Sequence, residues 1–172
     1  YTGYRCNSPV AVRYPRGSAG TTEICEQMTE LEIGKGRVIK QGAKIAVLSF
    51  GTLLENAQLA VNELNASLVD MRFVKPLDSA LIDTLLADHD VIVTLEDNAI
   101  VGGAGSAVNE YLAAIKAKVS FLNLGIPDEF IKHGTHEQMH DEMGLGEQGI
   151  LTLSFIYISE PTRQSYIPYA VF

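Results

Sequence analysis

Four short apolar runs recur between Lys44 and Leu124, and the residues between them carry their apolar positions at helical spacing. Ile45-Ala46-Val47-Leu48-Ser49-Phe50 is continuous and stops at Gly51. A strand that is apolar at nearly every position is covered on both faces, as strands of parallel sheets are. Ala57, Ala60, Val61 and Leu64 then share one face of a helix, with Thr52 placed to cap it. Ser67 to Arg72 reads as a second strand. Asp78 is placed to cap a second helix whose apolar face is Leu81, Ile82, Leu85 and Leu86. Val91 to Glu96 is a β-branched third strand. Ala107, Val108, Tyr111, Leu112 and Ile115 mark another helix, and Val119 to Leu124 a fourth strand. Met139 and Met143 share a face of a short helix within His136 to Met143. Strands alternating with helices predict an α/β fold: a mostly parallel sheet flanked by helices, with right-handed crossovers.

The ends of the chain break this rhythm. Gly3, Pro9, Pro15, Gly17 and Gly20 punctuate an irregular first thirty residues, within which Ala11 to Tyr14 reads as a short buried strand. Glu23 to Leu31 is polar and reads as a linker. From Ile150 onward apolar and polar residues first alternate like a strand. Pro161 and Pro168 then disfavour a helix.

Composition narrows the function classes. The 172 residues are 47% hydrophobic, enough for a real core. The net charge of -8 argues against binding nucleic acid, which needs clustered Lys and Arg, and against anionic membrane surfaces. No apolar run approaches the ~20 residues that span a bilayer. Cys6 and Cys25 form no CxxC pair and read as two ordinary thiols.

Three stretches are candidates for chemistry. In Arg13-Tyr14-Pro15-Arg16-Gly17 a guanidinium sits on a Pro-fixed turn, which suits a phosphate or carboxylate; the competing reading is a surface arginine in a loop. Glu96 to Ser106 joins a strand, the Gly102-Gly103-Ala104-Gly105 loop and a helix start, which together build an anion-binding nest. Ala107-Val108 stands where the third glycine of a dinucleotide fingerprint belongs, so close helix–strand packing outweighs ligand binding there. His136-Glu137-Gln138-Met139-His140 fits HExxH by letter. No third ligand or protease context accompanies it, and an exposed helix face is the favoured reading. His89, between Asp88 and Asp90, reads as a surface residue ahead of a strand.

Val69 to Asp78, then Glu96-Asp97-Asn98 and Gly102 to Ser106, resemble the C-terminal domain of the transketolase-like thiamine-diphosphate enzymes. Ala11 to Gly17 and Gly125 to Gly134 are similar to the 1-deoxy-D-xylulose-5-phosphate synthase family in particular. The resemblance runs from Tyr1 to about Ile150. It implies a three-domain, homodimeric transferase of the bacterial cytoplasm or plastid. That enzyme joins pyruvate to glyceraldehyde 3-phosphate with loss of carbon dioxide, and its product feeds isoprenoid, thiamine and pyridoxal synthesis. The resemblance further implies that residues 1–30 are the end of a pyrimidine-binding domain and a linker, and that 31–149 are the C-terminal domain. Residues 150–172 are then an atypical tail, standing where the family has an amphipathic helix.

By the same resemblance, Arg16 binds the substrate phosphate. Thiamine diphosphate, Mg2+ and the catalytic groups have their ligands outside this chain, which alone is expected to be inactive. Two other readings remain: a transketolase or 2-oxo acid dehydrogenase beta-subunit domain, and a non-catalytic domain binding phosphate or nucleotide at Gly102 to Gly105.

Overall fold

The computed structural model describes residues 1–15 and 26–152. These form the expected α/β fold around a five-stranded sheet in the order β1-β3-β2-β4-β5. The central strand β2 (Lys44–Phe50) lies between β3 (Ser67–Asp70) and β4 (His89–Ala99), parallel to both. The next strand, β5 (Ser120–Ile126), continues the parallel set beside β4. The other edge is β1 (Arg37–Lys40), antiparallel to β3.

Side chains of a strand alternate between faces, so a continuous apolar run fills two cores at once. Ile45 and Val47 of β2, with Val91, Val93 and Leu95 of β4, pack under α2 (Leu54–Leu64). Ala46, Leu48, Phe50 and Ile92 face the opposite way, onto Ile82 and Leu85 of α3 (Ser79–Leu86) and Val108 and Leu112 of α4 (Ala104–Ala114). Right-handed crossovers account for this division. The β2-to-β3 connection moves one way along the sheet, whereas β3-to-β4 and β4-to-β5 move the other, which puts α2 on one face and α3 and α4 on the other.

Asp78 caps α3 as expected, its Oδ1 accepting from the Leu81 amide at 3.1 Å. The expected short helix is α5 (His136–Glu142), closed at its start by a capping box between Thr135 and Gln138. Met143, just past its end, packs against the α2 side of the core.

Five local expectations differ from the structure. First, Ala11 to Tyr14 is exposed and forms no strand, because the segment runs to the end of β4 rather than alongside a free edge. Second, the irregular first thirty residues include a one-turn helix, α1 (Thr2–Arg5). Third, Thr52 does not cap α2: the helix starts at Leu54 with Leu53 as N-cap, and the Thr52 hydroxyl donates elsewhere. Fourth, residues 147–152 are helical, not extended. The Ile150 amide donates to the Gly146 carbonyl, and Ile150 is buried with Leu145 in the core, an arrangement one helical turn provides and an exposed strand does not. Fifth, His89 is no simple surface residue. It stands half-buried at the start of β4, with Nδ1 2.8 Å from the Leu85 carbonyl and Nε2 2.8 Å from Ser67 Oγ.

Candidate functional site

In an open α/β sheet the natural crevice lies where neighbouring parallel strands send their connections to opposite faces. Here that place is the carboxyl ends of β2 and β4. After β2 the chain turns toward α2, and after β4 it turns toward α4. Glu96 and Asp97 lie at this point on consecutive positions of β4, so their side chains leave by opposite faces.

Glu96 is turned inward and is 2% exposed. Its carboxylate accepts from the Ala104 amide at 2.7 Å and the Gly105 amide at 2.8 Å. These are the first two residues of α4, whose N-cap, Gly103, offers no side chain. The carboxylate thus satisfies two of the amides that a helix start leaves free, and its charge sits favourably against the helix dipole. Burial pushes the Glu96 carboxyl above its ordinary value of 4.5, against the lowering effect of the Gly105 and Ala104 amides, the Arg13 guanidinium and Asn98.

The glycines of the loop are explained by this contact. A Cβ on Gly103 would fall on the Glu96 carboxylate and the Ala99 carbonyl, and one on Gly105 would fall on Asn123. Asn123 is itself fixed by the Thr94 hydroxyl, which donates to its Oδ1 at 2.9 Å. Close packing is therefore the role of Gly103 and Gly105. The nest recognisable in the sequence is filled by the chain's own carboxylate, which leaves those two amides unavailable to a phosphate or nucleotide.

Asp97 leaves by the other face. Its Oδ2 accepts from the Thr52 hydroxyl at 3.1 Å, and its Oδ1 lies 3.4 Å from His140 Nε2. One carboxylate thereby ties the loop after β2 to α5. The Asp97 carbonyl accepts a hydrogen bond from the Arg13 guanidinium. Consecutive residues of β4 consequently hold the start of α4, the loop after β2, α5 and the N-terminal segment.

The residues singled out in the sequence separate as follows. Arg16 and Cys25 lie outside the described residues. Arg13 reaches the switch point, whereas Tyr14 is exposed. His136 is exposed, with its ring 6.1 Å from that of His140, and His140 turns to Asp97. Among the described residues no group of three His, Cys, Asp or Glu side chains is arranged to hold a metal ion. No helix among them is long and apolar enough to cross a membrane. The sequence reading gave no individual role to Glu96 or Asp97, and cast Thr52 only as a helix cap. The one available signal was an acidic residue ending a strand eight positions before a helix that starts in glycine.

The family model described as Transketolase, C-terminal domain matches residues 34–150. The chain is 76% identical over 159 residues to 1-deoxy-D-xylulose-5-phosphate synthase of Pseudoalteromonas translucida (strain TAC 125), which covers 92% of this chain and 26% of that protein. It is 57% identical over 150 residues to the protein of the same name from Vibrio parahaemolyticus serotype O3:K6 (strain RIMD 2210633), covering 87% of this chain and 24% of that one. The chain therefore spans about a quarter of the length of these curated relatives. Among solved structures it is similar to a split-gene transketolase described as an inactive beta4 tetramer. That likeness has a TM-score of 0.72 at 26% identity, over 81% of this chain and 47% of the other.

Proposed function

Because the chain belongs to the transketolase C-terminal domain family, we propose that it is part of a 1-deoxy-D-xylulose-5-phosphate synthase. The whole protein would condense pyruvate with glyceraldehyde 3-phosphate, with loss of carbon dioxide, for isoprenoid, thiamine and pyridoxal precursor synthesis. The observation that carries this reading is the 76% identity to the Pseudoalteromonas synthase across 92% of the chain. The 26% identity to the transketolase structure weighs less.

On this reading residues 1–30 end a pyrimidine-binding domain and lead through a linker. Residues 31–149 are the C-terminal domain, and 150–172 an atypical tail. The enzyme is a homodimer in the bacterial cytoplasm or a plastid. Arg16 supplies a guanidinium to the phosphate of glyceraldehyde 3-phosphate, for which a planar, permanently charged fork is well matched.

The described residues do not fit thiamine diphosphate or its Mg2+. The start of α4, where a diphosphate would find amides, is taken by Glu96, and no cluster of acidic or histidine ligands is present among them. The cofactor and metal are assigned to the rest of the protein, and this chain by itself is inactive.

The test is product formation by the full-length protein from pyruvate and glyceraldehyde 3-phosphate with thiamine diphosphate and Mg2+. Formation of 1-deoxy-D-xylulose 5-phosphate supports the reading. Ketol transfer between sugar phosphates with no decarboxylation of pyruvate would replace it with a transketolase. In the same protein Arg16→Ala should raise KM for glyceraldehyde 3-phosphate, with a loss of about 2–4 kcal/mol in kcat/KM. Unchanged kinetics would remove Arg16 from the site.

A further inference from the structure

Helices α2 and α4 both begin at the switch point. The start of α4 is capped by the Glu96 carboxylate, whereas the start of α2 has no side-chain cap. Thr52, the expected cap, gives its hydroxyl to Asp97. The Leu54 amide turns back to the Gly51 carbonyl, and the Ala57 amide to the Leu53 carbonyl. Between them, the amides of Glu55 and Asn56 have no acceptor among the described residues. Free amides at a helix start carry partial positive charge and draw anions.

A second, independent feature lies beneath the same helix. Ser49 is wholly buried, and among the described residues its hydroxyl is the one buried side-chain polar group without a hydrogen-bond partner. Strand alternation sets Ser49 on the face of Ile45 and Val47, which pack under α2, at the end of β2 from which the chain rises into that helix. A buried hydroxyl is costly unless something bonds to it. Gly51, between strand and helix, has a φ of 90°, and a Cβ there would meet nothing within 4 Å, so there is space beside the loop.

Charge is arranged around this space. Asp70 of β3 is in register with Ser49, and its carboxylate is outnumbered by two guanidiniums, Arg37 Nη2 at 3.2 Å and Arg72 Nε at 3.6 Å. The opposing charges are Glu55, which is exposed, and Asp97, which Thr52 and His140 already engage.

We infer that the start of α2 is a binding site for a small oxyanion, a phosphate or carboxylate group. The amides of Glu55 and Asn56 hold it, and the Ser49 hydroxyl donates to it from the sheet. The switch point is therefore divided: its α4 half is filled by the chain's own carboxylate, and its α2 half takes one from outside. The site uses none of the residues on which the synthase reading rests.

The experiment is hydrogen exchange of the full-length protein, read at residues 53–57. Inorganic phosphate and acetate are titrated separately, each against sodium chloride at equal ionic strength. Exchange there should slow about threefold or more and saturate with at least one of the two anions. A response to phosphate alone, or to acetate alone, assigns the oxyanion. Ser49→Ala should lose most of the response. Its unfolding midpoint without either anion should match or exceed the parent's, because an unpartnered buried hydroxyl has been removed. Glu55→Gln changes an exposed side chain and should tighten binding about twofold by removing a like charge. It also serves as the second variant if Ser49→Ala does not fold.

No slowing by either anion would overturn the site, as would equal slowing by sodium chloride, which marks an adventitious ion only. A full response in Ser49→Ala would place the anion elsewhere on the protein. Weaker binding in Glu55→Gln would reverse the charge of the occupant and overturn the proposal. Each of these results would leave the synthase reading standing, since that reading is tested by product formation.

Discussion

Glu96 Oε2 accepts the amide hydrogen of Ala104 at 2.7 Å, so a strand of the sheet supplies the cap of the helix that follows it. The distance in sequence is eight residues, and the turn between them is closed by Ser106, whose Oγ accepts from the Gly102 amide and donates to the Ile100 carbonyl. This one contact accounts for a buried carboxylate, an uncapped glycine at a helix start and the absence of a Cβ at Gly103.

Replacing Glu96 with Ala should cost about 2–4 kcal/mol of stability, since two buried amides lose a charged partner and a cavity is left. Glu96→Gln keeps the volume and one acceptor oxygen, and should cost about 1–3 kcal/mol. Urea unfolding midpoints of the chain and the two variants measure the difference. Equal midpoints for all three would show that the cap contributes nothing.

The pH dependence has a defined sign. The folded-state carboxyl of Glu96 is raised above 4.5 by burial, so between 4.5 and its folded value the native state holds more proton than the unfolded one. Stability from this group is complete below 4.5 and falls as pH rises through the raised value. Relative to Glu96→Gln, the parent protein should lose stability across that window and run parallel to it above. A parent that gained stability over the same window would reverse the assignment.

The glycines of the loop should separate by environment. Gly103→Ala sets a Cβ against the Ala99 carbonyl and the Glu96 carboxylate, where backbone cannot yield, and should cost about 3 kcal/mol or more. Gly105→Ala meets the Asn123 side chain and should cost about 1–3 kcal/mol. Gly102→Ala has open space and only a positive φ of 73° to bear, about 1 kcal/mol. Thermal unfolding of the three variants should follow that order.

Asp78 is 5% exposed and serves two elements. Oδ1 accepts from Leu81 in α3, and Oδ2 accepts from the Gly36 amide at 2.9 Å just before β1. Asp78→Ala should therefore cost more than a simple cap, about 2–3 kcal/mol. Hydrogen exchange should quicken in β1 as well as in α3. Faster exchange in α3 alone would limit the residue to capping.

Whatever rests on local pattern was legible in the sequence. Ile45 to Phe50 and Val91 to Glu96 announced buried parallel strands, because a run apolar at nearly every position needs cover on both faces. Asp78 announced its cap because the bond spans three residues. Strand β1 was not legible: it is four residues long, half-exposed, and defined by its antiparallel partner β3 rather than by its own pattern. Ala11 to Tyr14 had strand-like residues but pairs with no strand of the sheet.

The functional reading divides along the same line. The sequence by itself determined the family resemblance and singled out Arg16, since both are matters of residue identity in order. Only the tertiary structure decided that Glu96 fills the glycine nest, that Asp97 joins Thr52 to His140, and that Arg13 ends at β4. Those contacts join residues up to 84 positions apart, a separation that no local period encodes. They depend on the packing of the two cores, which fixes which strand ends are neighbours.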